Sequence, residues 1–267
     1  QNWGTLQALE RKGYLQNRSI DLEVIRSPRN GGFSFGCNLG AQKANGRWIL
    51  FLNPDAFITE NFFQELDEDV VRISQEIGEG FPLVMGVTMV GSDGQKTRNG
   101  GILPERFAFG RVGRREIFDS GYMLKVECHD KQGMVWPLGA AMLVASEVFR
   151  KQGGFDESLF LTLEEPSFLK RLGRYVLYFS KATALHEGGH SYSNRMAEYR
   201  VFDRSLQQYH SSSNFSLIET AKILLTRLRI RWRMLWISSG LGRGIAAVRS
   251  RIFRSMLLAV DLMYRMG

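Results

Sequence analysis

The feature that most constrains the fold is an apolar run at residues 48–52, which leads directly into Asn53, Pro54 and Asp55. A continuous run of Trp, Ile, Leu and Phe is typical of a strand that is buried on both faces of an α/β sheet. Ligands of such sheets bind just beyond the carboxyl ends of the strands. Because Pro54 restricts the turn, we expect the Asp55 carboxylate to be held at the sheet edge where chemistry takes place.

Predicted helices and strands alternate along the chain, which favours the α/β class. Helical patterns lie at residues 3–16, 33–45, 61–77 and 164–172, and strand patterns at 21–26, 48–52, 83–90, 175–179 and 182–185. Residues 91–134 are rich in glycine and charge, and we expect them to be irregular. Residues 136–144 are apolar again, and Ser146 after them is a predicted helix N-cap.

The positive charge is concentrated at the C-terminal end. Residues 222–267 contain ten of the 35 basic residues and one of the 27 acidic residues, so this segment carries +9 and the remainder is nearly neutral. Such asymmetry predicts an anionic partner, either lipid or nucleic acid. Apolar side chains recur at helical spacing in residues 245–263, whereas the alternation at 227–233 fits either a strand or a helix.

This basic segment has two interpretations. An amphipathic helix would rest on an anionic membrane surface through residues 222–267. Alternatively, the segment caps the sheet and leaves its arginines in solvent. The aromatic and basic residues do not alternate regularly on one face, so no nucleic acid is expected as a partner.

Two cysteines, Cys37 and Cys128, form no disulfide framework, and reduced thiols in a cytosolic protein are the simpler interpretation. No window reaches about 18 uninterrupted apolar residues, so the sequence shows no plain transmembrane helix. We therefore predict a cytoplasmic protein, with peripheral contact to the inner face of the cytoplasmic membrane.

Six short motifs, in this order and spacing, resemble family 2 glycosyltransferases of the GT-A fold, and most closely their rhamnosyltransferase-like branch. They are Asn30-x-Gly-Phe with Asn38, Leu-Asn-Pro-Asp at 52–55, Trp-x-x-Gly-Ala-Ala-Met-Leu at 136–143, Gly-Gly-Phe-Asp-Glu at 153–157, Glu164-Glu165, and His186 followed by Ser191. The resemblance covers roughly residues 1–195.

The resemblance implies a GT-A (Rossmann-like), mainly parallel sheet flanked by helices over residues 1–210, with a basic helical extension over 211–267. The match begins after the strand–helix–strand with which the family opens. Since such a unit takes about 30 residues, we expect the domain to be truncated at its N-terminus and to lack the first nucleotide-binding strands.

The resemblance also implies a reaction: inverting transfer of a sugar from a nucleotide-diphosphate sugar to a hydroxyl of a bacterial polysaccharide or lipid-linked glycan. Glu165 corresponds to the base that takes the hydroxyl proton, with Glu164 as second choice. Asp55 corresponds to the last Asp of the DxD-type motif. With His186 it would bind Mg²⁺ or Mn²⁺, which stabilises the leaving diphosphate.

Other residues take their predicted roles from the same resemblance. The resemblance implies that five residues contact the nucleotide-sugar donor or support its loop: Asn30, Asn38, Asn53, Gly139 and Ala140. Trp136 is implied at the acceptor, because apolar sugar faces stack on indole.

Each motif has a structural alternative. Trp136 would then pack in the core, Asp55 would be a turn residue, His186 would be structural, and the Glu164-Glu165 pair would be the acidic start of a helix.

Rival functions come from other classes. His186-Glu-Gly-Gly-His190 satisfies the zinc-protease pattern H-E-x-x-H, but that pattern needs a helix and adjacent glycines disfavour one. A truncated relative without donor binding would act as a non-catalytic scaffold. A nucleic-acid binder would depend on the basic C-terminal segment.

Overall fold

A computed structural model of the protein describes residues 23–78, 81–103, 114–126, 134–186, 195–211 and 217–239. The chain forms two compact units, residues 1–30 and 31–267. In the first unit, residues 23–30 are described and contain neither helix nor strand, so this part of the predicted strand at 21–26 is wrong. The predicted helices at 3–16 and 245–263 lie outside the described residues.

Helices and strands alternate along the second unit. The helices are α1 (Gly32–Lys43), α2 (Phe62–Ile77), α3 (Ser146–Lys151), α4 (Glu164–Leu172), α5 (Arg195–Ser211) and α6 (Leu217–Ser239). The strands are β1 (Trp48–Leu52), β2 (Ala56–Ile58), β3 (Leu83–Val90), β4 (Gly100–Leu103), β5 (Arg114–Glu116), β6 (Met123–Val126), β7 (Met134–Pro137), β8 (Ala141–Ala145) and β9 (Tyr175–His186). The predicted helices at 33–45, 61–77 and 164–172 and the predicted strands at 48–52 and 83–90 are confirmed.

A central sheet has the strand order β1-β8-β3-β9-β2, with β6 also paired to β9, and a smaller sheet has the order β5-β4-β7. The predicted α/β class, with a central sheet and helices, is confirmed. The expectation of a mainly parallel sheet is not met by the described strands. Among the strands that the structure describes, only β3 and β9 pair in parallel, and β8 lies antiparallel between β1 and β3. The expected burial of β1 on both faces is also wrong, because its side chains alternate between buried and more exposed ones and Leu52 is exposed. The direction of a strand depends on where the preceding loop returns the chain, which an apolar run does not indicate.

Three local predictions are also corrected. Residues 91–134 contain β4, β5 and β6 and are not wholly irregular. Their glycines permit close packing, since a Cβ on Gly101 would lie 2.4 Å from the Trp136 ring across the β4–β7 pair. Ser146 is the first residue of α3 and not its N-cap, and its hydroxyl donates to the Gly46 carbonyl. Residues 175–186 form one strand and not two. Residues 227–233, whose alternation fits either a strand or a helix, are helical.

Alternate residues of the central strands contribute to two apolar clusters. In β8, Met142 and Val144 belong to one cluster, and Ala141 and Leu143 to the other, as the period of two in a strand requires. Helix α2 packs on the second cluster with side chains at helical spacing, which are Phe62, Leu66, Val70 and Ile73. The core therefore fixes β8 and β9, the strands that border the candidate site described below.

A buried carboxylate, Asp69, ties α2 to β9. It accepts hydrogen bonds from Ser180 Oγ (2.7 Å), the Lys181 N–H (3.2 Å) and Arg72 (2.7 Å). Burial by itself raises the pKa of Asp69, but the hydrogen bonds from Arg72, Ser180 and Lys181 outweigh it, so the pKa is lowered. The ionised carboxylate therefore accepts hydrogen bonds from Ser180 and Lys181 on the strand and from Arg72 on its own helix.

We expect Asp69→Ala to lower the free energy of unfolding by about 2–4 kcal/mol, because Ser180 and the Lys181 N–H lose their acceptor in a buried position. Urea denaturation measures this loss. Asp67→Ala, on the exposed face of the same helix, is the matched control and is expected to cost less than about 0.5 kcal/mol. Equal losses in the two variants would contradict the role of Asp69.

The same contact predicts a pH dependence. Because the pKa of Asp69 is lower in the folded state, its contribution to stability is complete above its ordinary value of 3.8. That contribution is lost as the pH falls through the folded-state pKa. The difference between the wild type and Asp69→Ala should therefore shrink on acidification.

Candidate active site

Asp55 and His186 meet where β2 pairs with β9. The two strands are antiparallel, and Ala56, next to Asp55, lies opposite His186. This pairing brings His186 Nε2 within 3.4 Å of Asp55 Oδ1. The Asp55 side chain is 37% exposed and the His186 side chain 11% exposed, so an incoming ligand can reach the pair.

A tight turn between β1 and β2 positions Asp55. The Ala56 N–H donates to the Asn53 carbonyl (3.0 Å), which closes a four-residue turn with Pro54 at its second position. Proline is favoured there because its φ angle is already that of the turn. The Asn53 N–H donates to the Ala140 carbonyl (2.9 Å), which fastens the turn to the start of β8.

Two adjacent carboxyl groups, Glu164 and Glu165, begin helix α4 and are buried (2% and 9% exposed). Glu165 Oε1 accepts a hydrogen bond from the Gly139 N–H at 2.6 Å. Glu164 Oε1 accepts one from the Thr162 N–H at 2.8 Å. Each carboxyl group therefore has a backbone donor of its own, and the two side chains are held in different orientations.

The backbone before this pair is strained. Thr162 and Leu163 have φ angles of 78° and 71°, values that residues other than glycine rarely adopt. The Thr162 hydroxyl is also buried and has no hydrogen-bond partner within the described part of the chain. Strain and unsatisfied polar groups concentrate at functional sites, so this segment supports a site at the start of α4.

Gly139 connects the glutamate pair to the turn that carries Asp55. A Cβ atom at position 139 would lie 2.4 Å from Glu165 Oε1, so only glycine allows the carboxyl group to approach this closely. The next residue, Ala140, accepts the hydrogen bond from Asn53. A short backbone path therefore links Glu165 to the Asn53–Asp55 turn, although the donor-side roles of Gly139, Ala140 and Asn53 stay predictions.

Burial determines the protonation of the glutamate pair. It raises the pKa of Glu164 to about 8, with a further contribution from the charge of Glu165. Burial also raises the pKa of Glu165, while backbone N–H groups, including that of Gly139, and the charge of Arg98 oppose the rise. Near neutral pH the pair therefore retains a proton, and the Arg98 charge favours Glu165 as the ionised member.

Sequence reasoning missed Arg98. The only available signal was a basic residue directly before Asn99 and two glycines. Arg98 Nε donates to the Gly100 carbonyl (3.2 Å), and the Asn99 carbonyl accepts from the Leu138 N–H (2.8 Å), next to Gly139. The β3–β4 connection is thereby attached to the segment that contacts Glu165.

Asn38 and Trp136 lie in packed surroundings. The Asn38 amide exchanges two hydrogen bonds with the Phe155 backbone (2.9 and 2.8 Å) and donates to Glu157 (3.0 Å), so it braces the Gly-Gly-Phe-Asp-Glu loop. Trp136 is 4% exposed and belongs to the core. Asn30 belongs to the first unit. The binding roles predicted for these three residues stay predictions.

The cysteine beside the pair is chemically quiet. Burial, followed by the charges of Glu164 and Glu165, raises the pKa of Cys37 to about 12. The thiol therefore stays protonated near neutral pH and is a poor nucleophile.

Asp55 and His186 fit part of a divalent cation site. Within the described residues, no group of three His, Cys, Asp or Glu side chains could hold a metal. Mg²⁺ is commonly bound by one or two protein ligands together with substrate phosphates and water, and two ligands at this distance suit that arrangement. The zinc-protease alternative does not fit, because His186 ends a strand and the pattern needs a helix; residues 187–194 lie outside the described part.

Residues 8–77 match the family model described as Glycosyl transferase family 2. This segment is about a quarter of the chain, and its sequence is similar to family 2 glycosyltransferases. It contains α1, β1 and the Asn53–Asp55 turn, so the predicted family is confirmed on the part that carries Asp55. The match supports glycosyl transfer as the general function. A comparison with curated protein sequences gives no match.

Two solved glycosyltransferase structures are similar to the chain. S. aureus TarS 1–349 is 13% identical with a TM-score of 0.45, over 88% of this chain and 60% of that one. The mannosyltransferase PcManGT from Pyrobaculum calidifontis, in complex with GDP-Man and Mn²⁺, is 10% identical with a TM-score of 0.47, over 97% of this chain and 70% of that one. This chain thus spans less than two thirds of the TarS 1–349 chain.

The raised pKa of Glu164 predicts a pH-dependent stability. The folded protein keeps a proton that the unfolded chain releases, because the folded-state pKa is about 8 and the ordinary value is 4.5. The free energy of unfolding should therefore decrease as the pH rises from 4.5 to about 8. Glu164→Gln cannot ionise, so it should remove part of this decrease and be more stable than the wild type at the upper end of this range.

Urea denaturation across this pH interval tests the expectation. Glu147→Gln, at an exposed position of α3, is the control and should follow the wild-type profile. If Glu164→Gln also runs parallel to the wild type, the buried proton does not reside on Glu164.

Proposed function

We propose that this protein is an inverting glycosyltransferase that moves a sugar from a nucleotide-diphosphate sugar to a hydroxyl of a bacterial polysaccharide or a lipid-linked glycan. The observation that carries the proposal is the short backbone link between the Asp55–His186 pair and Glu165. The Asp55–His186 pair lies beside the turn that Asn53 fastens to Ala140, and the adjacent Gly139 holds Glu165.

In the proposed reaction Glu165 is the general base. It takes the proton of the acceptor hydroxyl while the acceptor oxygen bonds to the anomeric carbon and the bond from that carbon to the diphosphate breaks. A single displacement of this kind inverts the anomeric configuration. Burial raises the pKa of Glu165, which makes its ionised carboxylate a stronger base than an ordinary carboxylate. The Gly139 N–H orients the carboxylate, and Arg98 favours its ionised form.

Asp55 and His186 would hold the predicted Mg²⁺ or Mn²⁺, which supplies positive charge for the departing diphosphate. The chain contributes the fixed positions of these ligands. The Asn53–Ala140 hydrogen bond restrains the turn on one side, and the β2–β9 pairing places the imidazole on the other. Pre-positioned ligands lower the cost of organising the site when the donor enters.

The remaining predicted contacts belong to the same proposal. Asn30, Asn53, Gly139 and Ala140 would lie on the donor side. Asn38 would act there through the 154–157 loop that it braces, and Trp136 would contribute to the acceptor side. We also propose a division into a glycosyltransferase domain over residues 1–210 and an extension over 211–267, with residues 222–267 on the anionic inner face of the cytoplasmic membrane.

Asp55→Asn is expected to abolish transfer and metal-dependent donor binding and to leave the fold intact, because the Asp55 side chain is 37% exposed. Isothermal titration with a panel of nucleotide sugars, with and without Mn²⁺, measures the binding. Asp67→Asn on α2 is the control. A variant that keeps Mn²⁺-dependent binding would exclude Asp55 as a ligand, and a wild type that binds no donor would favour the scaffold alternative.

Glu165→Gln is expected to reduce turnover by about 100-fold or more and to leave donor affinity nearly unchanged. The amide preserves size but cannot accept the proton. Glu164→Gln is the matched variant. It should retain far more activity, because the Glu164 carboxyl group is already protonated and does not serve as the base. The rate at which the nucleotide diphosphate is released measures turnover, and isothermal titration measures the affinity for the donor. If Glu164→Gln is the inactive variant, the two roles are reversed.

A further inference from the structure

One face of α6 packs on α5. Arg227 Nε and Arg231 Nε donate to the two carboxylate oxygens of Asp203 at 2.9 and 3.0 Å. Ile223 and Ile230 on the same side are buried. The inner face of α6 is thus occupied, and two arginines of the basic segment are engaged by a carboxylate of the protein itself.

The opposite face of α6 is apolar and exposed. Leu224, Leu228, Trp232 and Leu235 are 46%, 56%, 42% and 65% exposed. At 3.6 residues per turn these four side chains fall within an arc of about 80° on the helix surface. We call this set the outer stripe. Large apolar side chains gathered in one stripe, unlike single exposed ones, indicate an interaction surface.

Arginines border the outer stripe on both sides. At helical spacing Arg231 adjoins it on one edge and Arg229 follows on the other. Arg233 lies farther round the helix, where its Nη1 donates to the Tyr199 hydroxyl of α5 at 3.4 Å. The Arg231 side chain is 54% exposed although it contacts Asp203. An apolar stripe with cations along its edges is the arrangement of helices that lie in the interface of an anionic bilayer. The apolar side chains enter the acyl boundary there, and the guanidinium groups remain at the lipid phosphates.

We propose that the outer stripe of α6 inserts into the headgroup region of an anionic lipid bilayer. The inference rests on the membrane contact in the proposed function and not on sugar transfer. The net charge indicated only that residues 222–267 make this contact. The outer stripe assigns the contact to one face of α6. Among the described helices, none is both long and apolar enough to cross a membrane.

Charge complementarity favours lipid over the two other classes of occupant. In a two-fold contact between copies, each outer stripe would bring its own bordering arginines against those of the other, and like charges at an interface are unfavourable. A nucleic acid would satisfy the arginines but would leave Leu224, Leu228 and Leu235 in water. An anionic bilayer accommodates both parts of the surface.

Flotation of the full chain with lipid vesicles, in the absence of any donor, tests the inference. We expect binding to vesicles of phosphatidylcholine with phosphatidylglycerol, little binding to phosphatidylcholine alone, and weaker binding at high salt. The double variant Leu228→Gln/Leu235→Gln should bind about tenfold more weakly or worse. Trp232→Gln is an independent variant with the same expected direction.

Val71→Gln is the matched control, since it changes an apolar side chain that is 51% exposed on α2 and should leave vesicle binding unchanged. Unchanged binding in both outer-stripe variants would overturn the inference. It would also be overturned if the double variant changed only the sedimentation behaviour, from dimer to monomer, or only the affinity for a DNA duplex. Because no donor is present, loss of glycosyl transfer has no bearing on these outcomes.

Discussion

The hydrogen bond from the Gly139 N–H to Glu165 is the contact on which the candidate site depends. A carboxyl group buried at the start of a helix needs a donor, because an unsatisfied one costs a large part of its solvation free energy. Glycine is the one residue that lets the backbone approach within 2.6 Å here, since a Cβ atom would overlap the carboxylate. The neighbouring Ala140 anchors the Asn53 turn, so the proposed general base, Glu165, and the proposed metal ligand, Asp55, are positioned by the same short backbone segment.

The candidate site contains strained backbone and buried carboxyl groups, and both lower the stability of the folded protein. Packing elsewhere must offset this loss. Two consecutive residues before α4 have left-handed backbone angles, and each such conformation costs about 1–3 kcal/mol. Burial of two adjacent carboxyl groups adds to this cost, and protonation of Glu164 limits it. Phe168 and Leu169 are fully buried in the same helix. Their apolar burial holds α4 against the sheet, and this keeps the strained segment and the carboxyl groups in place.

The sequence predicted features that a local pattern determines. It did not predict features that depend on how distant strands pair. Strand β1 and the turn to Asp55 followed from an apolar run and a proline, and both lie where they were predicted. The start of α4 followed from two acids before a helical pattern. The Asp55–His186 contact depends on the register of β2 against β9, which no local pattern encodes, and only the family resemblance anticipated it. The directions of the strands, the short strands within 91–134 and the effect of Arg98 on Glu165 are likewise products of long-range packing.

The C-terminal basic segment shows why net charge alone is a poor guide to a partner. The alternation at residues 227–233 is compatible with a strand, in which all the arginines would share one face. The helix divides them, so that Arg227 and Arg231 bind Asp203, and Arg231 and Arg229 border an exposed apolar stripe. A partner therefore meets less charge than the sequence count implies, and it also meets a hydrophobic surface that the count does not reveal. The kind of partner that fits is determined by this combination, because a polyanion without an apolar phase would satisfy only one of its two components.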